Sequence, residues 1–107
     1  MAGASANVLK IHDDLRKAIR GLGRVRAGAV RTLVYFSDRA HFCSVHLRRG
    51  HVLLEFVSKR PIRHRRIERT IRLGPGRYVN IARLDGRSAI DRTLAGWLRE
   101  AYELERA

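Results

Sequence analysis

Cysteine is almost missing from this chain. Cys43 is the only one among 107 residues, so no disulfide can form within the chain, and a reducing, cytoplasmic setting is expected. Its place between Phe42 and Ser44 in a β-like run suits an inert, half-buried thiol. Long apolar runs are missing too. Nothing approaches the roughly 18 uninterrupted apolar residues of a membrane helix, and Met1–Ala6 lacks the basic start and apolar stretch of a secretory signal. Acidic residues are few: 10 Asp+Glu face 23 Lys+Arg, for a net charge of +13. Lysine is scarce as well, since 20 of the 23 cations are arginine, a skew that a GC-rich genome produces without functional cause. That skew explains why arginine replaces lysine, but not why carboxylates are so few.

The chemistry of most enzymes is also absent. His41 and Cys43 alternate onto one face of a strand while His46 falls on the other, and no close Cys or His pair elsewhere completes a zinc set. His12, beside Asp13 and Asp14, and His51 and His64 read as surface residues. Asp38 and Asp85 fall in turns, where aspartate is a turn former. Glu55 and Glu68 lie on different strands, and Glu55 stands four residues from Lys59, which breaks a nuclease-like pattern. Gly74-Pro75-Gly76 is a turn rather than a phosphate loop, for it lacks the downstream Lys-Ser/Thr. No nucleophile elbow or triad is visible. The chain reads as a non-enzyme without metal or cofactor.

What is present is one small α+β domain. The length allows a single core, and the hydrophobic share of 45% is that of an ordinary globular chain. Residues 1–6 are expected to be disordered and 7–107 to form the domain. With Asn7 as cap, Val8, Ile11, Leu15, Ile19 and Leu22 make the stripe of an amphipathic helix that Gly21 and Gly23 end. From Val25 the period changes to that of strands. Runs at 29–36, 41–47, 51–57, 66–73 and 77–84 predict about five mainly antiparallel strands, because the connections are mostly short. Ser88 and Asp91 resemble a capping box. Ile90, Leu94, Trp97, Leu98, Ala101 and Leu104 then trace a second amphipathic helix. Both helices are expected on one face of the sheet, leaving the other for solvent or a partner.

The charge is segregated along the chain. Residues 1–20 carry +2 and 88–107 carry −1, while 21–87 hold sixteen basic and four acidic groups. Residues 59–72 (KRPIRHRRIERTIR) are densest, and their candidate contacts are Arg60, Arg63, Arg65, Arg66, Arg69 and Arg72. Alternation would send Arg66 and Arg72 to one face, opposite Ile67 and Ile71. Arginine's planar fork suits phosphate oxygens, so a DNA or RNA backbone is the expected partner. Arg24, Arg26, Arg31, Arg48 and Arg49 could widen the patch. A solvated basic loop is the plainer alternative. No helix-turn-helix, zinc finger or aromatic RNA-binding strand motif is present, so binding would follow the backbone rather than the bases. The rival function is a protein-interaction or homodimerisation module that uses a sheet face or edge.

Three stretches carry a family resemblance: 8–23 (VLKIHDDLRKAIRGLG), the pair of strands within 30–47 with Tyr35-Phe36 and His41-Phe42-Cys43-Ser44-Val45, and 90–102 (IDRTLAGWLREAY). Across roughly residues 7–104 the chain resembles a family of bacterial domains of unknown function often labelled "predicted transport protein". That resemblance implies a small α/β domain with terminal helices and no established catalytic residues. Some relatives adjoin nuclease-like domains, which by analogy favours nucleic acid. The transport label has no membrane segment here to support it.

Overall fold

The computed structural model of the chain describes residues 5–30, 33–37 and 41–106. It opens with α1 (Ala6–Arg20), capped by Ser5, whose hydroxyl accepts from the Val8 amide at 3.2 Å. The cap therefore stands two residues before Asn7, and Asn7 instead donates its side-chain amide to the Asp85 carbonyl. Of the expected stripe Val8, Ile11, Leu15 and Ile19 have no solvent exposure, while Leu22 lies past the helix and is partly buried. Gly23, at φ +147°, turns the chain out of the helix. A Cβ there would also lie 2.6 Å from the Tyr102 hydroxyl, which donates to the Arg24 carbonyl.

Among the described residues six strands follow, where about five were expected: β1 (Arg26–Val30), β2 (Leu33–Ser37), β3 (His41–Leu47), β4 (Val52–Ser58), β5 (Ile67–Gly74) and β6 (Arg77–Leu84). The run expected as one strand over 29–36 is shared between β1 and β2, which pair antiparallel with Val30 opposite Leu33. No Gly, Pro or Asn marks that reversal, so periodicity alone reads through it. Every pairing is antiparallel, in the order β1-β2-β3-β4-β6-β5. The turn at Ser37-Asp38-Arg39, named from the sequence, has its last two residues outside the described set, as has Arg31.

After a single 3₁₀ turn at Arg87–Ala89, α2 spans Arg92–Arg106. Asp91 caps it by accepting from the Leu94 amide at 3.0 Å, three residues later than a Ser88 cap would. Both helices rest on β3 and β4. Their buried side chains join Val34, Phe36, Val45, Leu54 and Phe56 in one core. Trp97 stacks on Phe56 with ring centroids 5.4 Å apart. Those core residues are one alternate set of each strand. The other set, through the row Tyr35, Ser44, Glu55, Ile81 and Arg69, points to the opposite side of the sheet.

Register shifts at Phe42, Glu68 and Leu73 interrupt this alternation, and the first two decide which side their neighbours face. In β3, Ser37 pairs with His41 while Phe36 pairs with Cys43, so Phe42 is the extra residue. Cys43 therefore turns into the core, and His41 falls on the side that also carries Ser44 and His46. This corrects the reading that His41 and Cys43 share a face. In β5, Ile67 pairs with Ala82 and Arg69 with Ile81, leaving Glu68 extra. Ile67 faces the core, whereas Ile71 faces away from it.

Candidate nucleic-acid interface

Because β6 lies between β4 and β5, residues 59–66 must cross the sheet to connect them. They cross on the helix-bearing side, and their exposure alternates. Ile62, His64 and Arg66 are partly buried, while Arg60, Arg63 and Arg65 are exposed. Ile62 packs on the core. His64 meets the Trp97 ring edge-on with centroids 5.1 Å apart, and the Arg66 guanidinium lies 5.3 Å from the same ring.

Polar groups fix both ends of this crossover. At its start, Thr70 donates to the Asn80 side-chain oxygen at 3.1 Å, and Asn80 donates to Ser58 Oγ at 2.8 Å. Ser58 Oγ in turn donates to the Arg60 carbonyl at 2.6 Å. This chain of bonds joins β5, β6, β4 and the crossover, and Asn80 at its centre has no solvent exposure. At the far end Arg66 donates to the Ala89 carbonyl at 2.6 Å and to both Asp91 oxygens at 3.2 and 3.0 Å. The Leu94 amide, and then Arg66, hold the Asp91 carboxyl below its ordinary pKa. Arg83 donates its amide to the Arg66 carbonyl at 2.8 Å.

The six candidate arginines thus separate. Arg60, Arg63 and Arg65 stand outward from the anchored crossover. Arg66 turns inward and is consumed by Asp91, Ala89 and Trp97. Arg69 and Arg72 sit on β5, the outer strand, on opposite faces, since Arg69 pairs with Ile81 and Arg72 with Tyr78. Arg72 thereby shares the helix-bearing side with the crossover. The expectation that Arg66 and Arg72 oppose both Ile67 and Ile71 fails at the Glu68 bulge. Among the described residues, Arg60, Arg63, Arg65, Arg69 and Arg72 have no carboxylate partner, whereas Arg16, Arg66, Arg77, Arg83, Arg87 and Arg99 do.

Of the basic residues expected to widen the patch, none that the structure describes joins this surface. Arg26 lies on β1, the opposite outer strand, with Arg24 just before it, and five strand spacings at ~4.8 Å put β1 about 24 Å from β5. Arg48 and Arg49 occupy the β3–β4 turn, closed by a bond from the Arg48 amide to the His51 carbonyl. Arg31 lies outside the described residues.

Residues 1–105 match the family described as "Domain of unknown function (DUF5655)". The chain belongs to this family. No curated protein and no solved structure matches it. In this DUF5655 chain the groups that brace the crossover are less legible in the sequence than its arginines, and Asp91 shows there only as a helix cap. Asn80 had a visible signal: it interrupts the core alternation Tyr78, Asn80, Ala82, Leu84 with a polar group. The pairing of Arg66 with Asp91 had none, since the two are 25 residues apart. No helix among the described residues is long and apolar enough to cross a membrane, and none of their His, Cys, Asp and Glu residues cluster as a metal site.

Proposed function

We propose that the 59–66 crossover and the β5 edge bind the phosphate backbone of a nucleic acid, and that the domain acts by binding rather than by catalysis. The observation that carries this reading is the pinned alternation of the crossover. Ile62, His64 and Arg66 sink inward, so Arg60, Arg63 and Arg65 stand out on a segment already ordered, none of them in an ion pair with a carboxylate among the described residues. Less ordering entropy is then lost on contact than a loose basic loop would lose. Arg72 extends the row on the same side, and Arg69 meets a strand that wraps the edge.

Fluorescence anisotropy of labelled duplex and single-stranded oligonucleotides across a salt series tests the proposal. Four neutralised phosphates give a log–log salt slope of about −3.6 on duplex, and a fifth about −4.5. Replacing Arg63, Arg65 and Arg72 by Ala flattens the slope, while replacing Arg24 and Arg26 at the opposite edge leaves it nearly unchanged. Binding weaker than about 100 μM at physiological salt counts against the proposal. So does equal loss from both sets, or sedimentation as a stable dimer indifferent to oligonucleotides.

A further inference from the structure

The side of the sheet away from the crossover carries a cavity of about 270 Å³. The Phe42 bulge accounts for it. The β3–β4 register ends at Cys43 opposite Phe56, so β3 parts from β4 beside Val57 and leaves a hollow between the strands. Tyr35 and His41 form one wall, their ring centroids 4.7 Å apart, and Val57 and Val79 form the other. Tyr35 sits directly over Gly28, where an added Cβ would lie 2.2 Å from its ring. The missing side chain lets that ring lie against β1.

One polar group is set into these apolar walls. Ser44 donates to Glu55 Oε2 at 3.1 Å, and His46 Nε2 lies 3.4 Å from the same oxygen. Glu55 Oε1 has no protein partner among the described residues, although its side chain is only 37% exposed. Nor is this trio a nucleophile triad. The imidazole would have to stand between hydroxyl and carboxylate and use both ring nitrogens, whereas here the Ser44 hydroxyl and the Glu55 carboxylate both lie 3.4 Å from the same nitrogen, His46 Nε2.

We propose that this cavity binds a small aromatic molecule bearing a hydroxyl or amino group, with Glu55 Oε1 accepting its proton donor and Tyr35 and His41 flanking its ring. Size, wall and acceptor all bear on the class. A cavity of about 150 Å³ can hold benzene, so this one accommodates one ring with substituents, or two. Its wall of two rings, inclined 40° to each other, favours a ring over an alkyl chain, because aromatic pairs gain from tilted and offset contacts. A half-shielded carboxylate with an unused oxygen rewards a donor and repels an anion. The site lies on the other side of the sheet from Arg60, Arg63, Arg65 and Arg72, and only Arg69 shares its face, so either reading can fail without the other.

Phenol, benzylamine, toluene and benzoate serve as probes, titrated at millimolar concentration into the isotopically labelled protein and followed by amide chemical shifts. Phenol and benzylamine are expected to shift Tyr35, Ser44, Glu55 and Val79, to bind about tenfold more tightly than toluene, and benzoate not to bind there. Glu55→Gln should bring the phenol-to-toluene ratio toward one, and Val79→Phe should fill the site and abolish all shifts. Absence of shifts in the unaltered protein, equal binding of all four probes, or an undiminished preference in Glu55→Gln would each overturn the assignment.

Discussion

Arginines of one short run have unlike duties, and burial separates them. Arg66 is 14% exposed at its side chain, with a bidentate carboxylate, a carbonyl and an indole ring as neighbours. Arg66→Ala should cost about 1–3 kcal/mol of stability, the range for losing charged hydrogen bonds in a partly buried place. Arg63→Ala and Arg65→Ala should stay within about 0.5 kcal/mol of the parent, as exposed substitutions do, yet each should reduce the duplex salt slope by about 0.9. Urea unfolding and anisotropy on the same three proteins check the separation. Asn80 is the other residue on which the crossover depends. Asn80→Ala leaves Thr70 and Ser58 short of a partner and should destabilise by about 1–3 kcal/mol, with the amides of residues 58–62 exchanging faster than the rest.

At the scale of the element, α2 and the crossover share one residue. Asp91 both caps the helix and receives Arg66, so protonating it loosens two segments together. The sign follows from its depressed pKa in the folded state. Its stabilising contribution is complete above the ordinary carboxylate range near 3.9 and is lost as pH falls through the lower folded value. Asp91→Asn keeps a competent cap but loses the charge on Arg66, whereas Asp91→Ala loses both. At neutral pH the order of melting temperature should be parent, then Asn, then Ala, with the cap itself worth about 1 kcal/mol. At an acid pH below that folded value the parent and the Asn variant should converge. Thermal unfolding by circular dichroism at both pH values decides this, and an Asn variant equal to the parent at pH 7 would show the ion pair to be idle.

For the whole molecule, salt should act in two directions at once. A net charge of +13 on a domain with a Cα radius of gyration of 12.9 Å repels itself, and at 0.15 M salt the screening length is about 8 Å. Moving from low to physiological salt should therefore raise the melting temperature while weakening oligonucleotide binding. A melting temperature that falls with salt would mean that the ion pairs, such as Arg87 with Asp14 at 2.6 and 3.1 Å, outweigh the repulsion.

The sequence by itself determined the helices, the antiparallel runs and the crowding of positive charge into the middle of the chain. Those are local matters of period, capping and composition: Val8, Ile11, Leu15 and Ile19 need only their own spacing to declare a buried stripe. Tertiary structure decided everything that depends on register or on what crosses over what. Two of the extra residues, Phe42 and Glu68, carry no turn signal, yet each shifts which side of the sheet the neighbouring side chains occupy. Placing β6 between β4 and β5 forces residues 59–66 across the helix-bearing side, and the contact with Trp97 and Asp91 then selects which arginines turn outward. Non-local pairing sets these choices, and a chain read one residue after another holds no record of it.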